Sequence, residues 1–140
     1  MTEHEIGYLI KQISNKMKIS ADAGLKKHNL TLAQVELLKV IDSSGGQITQ
    51  KEIEIRMEVS HPTVTGIVSR LEKQGFLKCY PDTDNKRNKV VCTTEKAKQI
   101  GQELSECMRL HDSMLLKGLS ADEKNELQRM LQIMYQNIEQ

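Results

Sequence analysis

Apolar residues recur at three- and four-residue steps from His4 to about Lys27, at Ile6, Ile10, Ile13, Met17 and Ala21. That is the period of an amphipathic helix, so the chain is expected to open with one long helix bearing a single apolar stripe. Thr31 followed by Gln34 has capping-box spacing and predicts a second helix with Val35, Leu38 and Ile41 on one face, stopped at Ser43-Ser44-Gly45-Gly46. Thr49 with Glu52 repeats the pattern before a short helix carrying Ile53 and Met57. Ser60 then caps a fourth helix, with Pro62 in its first turn and Gly75 as its terminator. After Gly75 the pattern turns extended. Phe76 to Tyr80 and Lys89 to Thr93 are β-favouring runs joined by a polar, turn-rich stretch, which reads as a hairpin with a long charged tip. From Thr94 the helical period returns with Ile100, Leu104, Cys107, His111 and Met114. Ser120 with Glu123 opens a last helix whose Leu127, Leu131, Met134 and Ile138 keep the four-three-four spacing of a coiled-coil seam.

Two short helices, a sharp turn and a hairpin directly after the second helix make a winged helix-turn-helix, in a mainly α (α+β) fold with long helices at both ends. The expected division is an N-terminal dimerisation helix at 1–29, the winged domain at 30–93, and helices completing the dimerisation region at 94–140. On the 60–74 helix, Val64, Val68 and Leu71, with Ile67 beside them, form the core side. Opposite lie Pro62, Gly66, Ser69 and Lys73, flanked by Thr65 and Arg70: small residues where a backbone must come close, with donors at the edges. Ser60, His61 and Thr63 sit at its first turn, where free N–H groups suit a phosphate.

Composition sharpens this. The 140 residues amount to about one domain. No run approaches the roughly 20 apolar residues that span a bilayer, and the first residues lack a secretory layout, so no membrane association and a cytoplasmic location are expected. With only three Tyr, one Phe and no Trp, aromatic cages and base-stacking platforms are excluded. The net charge of +1 hides an uneven distribution: residues 61–98 hold 8 basic and 4 acidic side chains, while residues 99–140 hold 4 and 7. A basic middle beside an acidic tail suits a DNA reader with a separate non-DNA region. The basic surplus includes Lys86, Arg87 and Lys89 at the hairpin tip, with Asp82 or Asp84 able to hold Arg87 by ion pairing.

Three stretches now carry a family resemblance: Leu30 to Leu38, Ile48 to Ile53, and Thr63-Val64-Thr65-Gly66-Ile67-Val68-Ser69-Arg70-Leu71 continuing to Gly75-Phe76-Leu77, with Thr94 after the wing. They resemble the core of the MarR family of bacterial transcription factors, over roughly residues 30–98 by motif. The resemblance implies a homodimer built from the terminal helices, palindromic operator DNA, and a small apolar or phenolic effector held between dimer helices and winged domain, with release from DNA on binding it. Repressor is favoured over activator by resemblance only. Where the family has Asp-x-Arg in the wing, this chain has Asn85-Lys86-Arg87, so support for Arg87 falls to Asp82, Asp84 or Asn85. An effector cleft is expected to be lined by Leu, Ile and Met.

Dimerisation also has a physical argument. The seams Ile6, Ile10, Ile13 and Leu127, Leu131, Met134, Ile138 exceed what a small winged core can cover, and a two-fold pair places two recognition helices about 34 Å apart, one DNA turn.

Other chemistry is thin. Cys107 and His111, four apart on a helix, have metal-ligand spacing but need further ligands such as His28 or Glu36; no metal or cofactor is expected. Cys79 and Cys92 become cross-strand neighbours, and a thiol sensor, only if the hairpin register permits. His4, His28, His61 and His111 are scattered, and no catalytic motif is present, so an enzyme is not expected. The alternative from another class is a winged helix used as a protein-interaction module, for which a basic wing and steep salt dependence have no purpose.

Overall fold

The computed structural model describes residues 3–139. The expected helices form: α1 (Glu3–Leu25, continued by one 3-10 turn over Lys26–His28), α2 (Leu32–Ser43), α3 (Gln50–Met57), α4 (His61–Lys73), α5 (Glu95–Leu115) and α6 (Ala121–Ile138). The hairpin strands β2 (Leu77–Pro81) and β3 (Lys89–Thr93) also form. A third strand, β1 (Gln47–Thr49), was not anticipated; it lies on the other side of β3, giving an antiparallel sheet in the order β1-β3-β2.

Residues through Cys107 make one compact unit and those from Met108 a second. In the first, α2, α3 and α4 close around Val35, Leu37, Ile41, Ile53, Val64, Val68 and Leu71, all essentially withdrawn from solvent. The sheet adds Ile48, Leu77 and Val91 to that core. The register puts Ile48 and Cys79 opposite Val91 on the core face, and Gln47 and Lys78 opposite Cys92 on the other. Ala21 and Leu25 dock the end of α1, and the Asp22 carboxylate accepts a hydrogen bond from the Leu32 N–H at 2.7 Å.

Local chemistry explains the boundaries. Thr31 and Gln34 form a full capping box for α2, as Ser120 and Glu123 do for α6. At α3 only half of the expected box exists: Thr49 Oγ1 accepts from the Glu52 N–H. Ser60 occupies the N-cap position of α4 but makes no side-chain cap bond; its hydroxyl is 3.0 Å from that of Thr63 instead. Gly46 turns the chain into β1 at φ +94°, and an added Cβ would come within 3.3 Å of Thr93 Oγ1. Beyond Gly75, Thr94 Oγ1 donates to the Gly75 carbonyl at 2.6 Å and Lys96 Nζ to the Gln74 carbonyl at 2.6 Å, so the start of α5 finishes the end of α4.

The second unit comprises the end of α5 and α6. Leu131 and Ile138 are exposed there, and Leu127 and Met134 half-buried. In the first unit the seam of α1 is equally open: Ile6, Ile10 and Ile13 each keep roughly two-fifths of their surface in water. No helix among the described residues is long and apolar enough to cross a membrane.

Candidate nucleic-acid interface

The apolar side of α4 is Val64, Val68 and Leu71, all buried. Ile67, expected with them, is only half-buried, because it sits at the edge of the stripe. His61, Pro62, Thr63, Thr65, Gly66, Arg70 and Lys73 are exposed, and Ser69 is half-buried rather than open. An added Cβ on Gly66 meets nothing within 4 Å. The chain's own packing therefore does not require glycine there, and the bare backbone faces outward.

The wing differs from expectation in how it is held. Lys86, Arg87 and Lys89 are exposed, but no ion pair joins Arg87 to Asp82 or Asp84 among the described residues. The tip is set through the backbone instead. Asn85 Oδ1 accepts from the Arg87 N–H at 3.1 Å, Asp82 Oδ1 accepts from the Asp84 N–H at 3.1 Å, and the Asn88 N–H donates to the Asn85 carbonyl at 2.8 Å. The first two are Asx turns, in which a short polar side chain replaces a missing backbone partner, and the third is a main-chain turn; together they leave the cationic heads free.

Recognition helix and wing face a common cleft of about 490 Å³, lined on one side by His61 and Thr65 and on the other by Asn85, Arg87 and Lys89. Its floor comes from α3, through Gln50, Lys51 and Glu54, which the sequence pattern had not singled out. Gln50 is buried, with Nε2 2.8 Å from Thr65 Oγ1 and 3.2 Å from Glu54 Oε2, and His61 Nδ1 lies 2.7 Å from the same Glu54 oxygen. Only its burial, invisible in a polar helix-opening sequence, distinguishes Gln50. A cleft with cations on one wall and a hydroxyl and an imidazole on the other can take a phosphate chain along one side and base edges along the other.

The remaining candidates are not brought together. Cys79 faces the core and Cys92 the opposite sheet surface, so the one-residue offset separates the two thiols. Burial and the neighbouring Glu72 carboxyl push the Cys79 thiol up to about 11, away from thiolate chemistry. No group of three or more metal-ligating side chains occurs among the described residues. His28 Nε2 instead lies 3.4 Å from Glu103 Oε1.

A second cavity, about 340 Å³, lies between α2 and α5. Its apolar wall is Val35, Leu38, Ala97 and Leu104, joined by Lys39, Asp42 and Lys98. Neither Ile nor Met lines it: α2 and α5 turn charged residues as well as part of their apolar stripes toward it.

Residues 30–89 match the model of the MarR family. The chain is 31% identical over 129 residues to the HTH-type transcriptional regulator YfiV of Bacillus subtilis (strain 168), covering 88% of this chain and 80% of that protein. Among solved structures, the transcriptional regulator SlyA is 28% identical with a TM-score of 0.86, covering 98% of this chain and 94% of that one. A mutant MarR from E. coli complexed with operator DNA has the same fold, with a TM-score of 0.85 at 24% identity and 93% coverage of each chain.

Proposed function

The chain belongs to the MarR family and is a transcriptional regulator rather than an enzyme, and from that premise we propose that it works as a homodimer on palindromic operator DNA. It is carried by the shared cleft, where His61 and Thr65 of α4 face Arg87 and Lys89 of the wing across a polar floor from α3. In this reading α4 enters the major groove. Pro62, Thr63, Thr65, Gly66, Ser69 and Arg70 face base edges, Gly66 being the place where α4 comes closest. Ser60 and His61 lie at the first turn near the backbone, and Lys73, Lys86, Arg87 and Lys89 hold phosphates or the minor groove. Asp82, Asp84 and Asn85 shape the wing.

The winged domain spans 30–93, and residues 1–29 and 94–140 supply the dimer. The open seams support this: Ile6, Ile10 and Ile13 on α1, and Leu127, Leu131, Met134 and Ile138 on α6, are apolar positions left wholly or partly in water. Two copies of one interface give a two-fold axis, and the two recognition helices then read half-sites of a palindrome. The mode proposed is repression, which rests on the family resemblance. The α2–α5 cavity suits a small apolar or phenolic effector whose polar group meets Lys39 or Lys98. Such a regulator acts in the cytoplasm, where the DNA is.

The experiment is selection of duplexes from a randomised pool by the purified protein, followed by footprinting of the winners. Two inverted half-sites about ten base pairs apart, centre to centre, are expected. An unpatterned pool after repeated rounds contradicts the proposal.

A further inference from the structure

We infer that Gln50, which lines the floor of the cleft, sets the hydrogen-bonding polarity of the α4 side chains that meet base edges and is thereby a positioning residue for sequence specificity. The inference rests on the DNA-reading role proposed for α4.

Gln50 is the first residue of α3 and only 5% exposed. Its amide nitrogen lies 3.2 Å from Glu54 Oε2, and His61 Nδ1 lies 2.7 Å from the same oxygen. A carboxylate can only accept, so both neighbours must donate to it. That fixes two assignments: the Gln50 amide turns its NH2 toward α4, and His61 carries its proton on Nδ1. The 3.5 Å between Gln50 Nε2 and His61 Nδ1 is then the separation of two donors sharing one acceptor.

The second amide hydrogen of Gln50 goes to Thr65 Oγ1 at 2.8 Å. A threonine hydroxyl normally rotates and serves as donor or acceptor as its surroundings ask. Here its inner lone pair is taken, and among the described residues no carbonyl accepts its proton. The O–H is left to point outward from an exposed position on α4. His61 donates from its inner Nδ1 to Glu54 and turns Nε2 outward from a side chain 71% exposed. α4 therefore offers at Thr65 an O–H that cannot turn back toward Gln50, beside one remaining lone pair. In the major groove that O–H is met by guanine N7 or O6, adenine N7 or thymine O4. Removing the amide frees the Thr65 hydroxyl to rotate and abolishes its discrimination without removing any group that touches DNA.

The test is duplex selection and competition binding with four proteins: wild type, Thr65→Val, Gln50→Met and Gln50→Lys. Gln50→Met has a similar shape and no donor; Gln50→Lys still donates toward Glu54 and Thr65. Thr65→Val is expected to lose roughly fivefold to tenfold discrimination at one base pair of each half-site. Gln50→Met should lose the same preference at the same base pair, and Gln50→Lys should keep it, whatever its added charge does to overall affinity. In Gln50→Met/Thr65→Val the losses should not add. The inference is overturned if Gln50→Met retains the Thr65-dependent preference, if Gln50→Lys loses it, or if the two losses add. Absence of any preference in the wild type itself is a different result: it overturns the DNA-reading role of α4, and the inference with it.

Discussion

Gln34 and Gln74, forty residues apart, meet side chain to side chain, with Gln34 Nε2 donating to Gln74 Oε1 at 3.3 Å. Gln34 is buried, and its own Oε1 accepts from the Thr31 N–H at 2.9 Å. Gln74 also donates to the Asn29 carbonyl at 2.7 Å. The end of the recognition helix is thus bonded to the chain segment that leaves α1, so the seam helix and the reading helix share one polar link. Replacing Gln74 by Leu strands the buried Gln34 donor, while the exposed Asn29 carbonyl turns to water. The expected cost is ~1–3 kcal/mol, since a buried group left unpaired loses its water and gains nothing. Urea unfolding of Gln74→Leu measures it, and an unchanged midpoint with an unchanged slope would show that the link is not stabilising.

Arg87 and Arg70 should fail differently. The Arg87 guanidinium stands free on a wing tip fixed by Asn85 through the backbone, which suits a phosphate or minor-groove contact. Arg87→Ala is expected to weaken binding to all duplexes alike and to flatten the salt dependence by about one counterion. Arg70, exposed on α4, meets a base edge in the proposed complex. Its alanine variant should relax preference at one position by ~1–3 kcal/mol. Competition binding over a panel of single-base operator variants separates the two patterns, and equal losses on every duplex for both variants would erase the distinction.

The seam of α1 should respond to charge. Ile10 is exposed to 40%, and in a two-fold dimer each substitution is counted twice. At ~1.5–3 kcal/mol per buried aliphatic side chain, Ile10→Lys is expected to weaken self-association by at least about a hundredfold. Sedimentation equilibrium checks this. A variant that remains dimeric at nanomolar concentration would move the interface away from α1.

Cys79 should be sluggish toward alkylating agents. With its thiol raised to about 11 from an ordinary 9.0, its thiolate fraction near neutral pH falls roughly a hundredfold below that of an unperturbed thiol. The charged form is disfavoured by burial and by the adjacent Glu72, so reactivity should recover only as pH climbs toward that value. Mass spectrometry of partially alkylated protein between pH 7 and 9 follows it. Rapid labelling of Cys79 at pH 7 would contradict the packing of the β2 strand.

The helices were readable because all but the short α3 carry a long periodic stripe and three carry an N-cap pair; Thr31 with Gln34 and Ser120 with Glu123 even form the full boxes their spacing suggests. What escaped depends on partners distant in the chain. Gln47–Thr49 is too short for alternation to register, and becomes a strand only because β3, more than forty residues later, offers an edge. The Cys79–Cys92 offset follows from how the long wing tip closes, and no count across that loop predicts it. Arg87 was expected to lean on a carboxylate, whereas the tip solves its geometry with backbone N–H bonds to Asn85 and Asp82. Gln50 and Gln34 illustrate the general difficulty: a polar residue at a helix start reads as solvated, and only the packed fold reveals that it is buried and bonded across elements.

The central claim, that the α4–wing cleft reads DNA by sequence, is met most directly by fluorescence anisotropy of the purified protein on its selected duplex and on a shuffled duplex of equal composition, at two salt concentrations. Tight binding to the first is expected, with at least about a thousandfold weaker binding to the second and steep weakening of both with salt. Equal affinity for the two duplexes, or binding indifferent to salt, would contradict it.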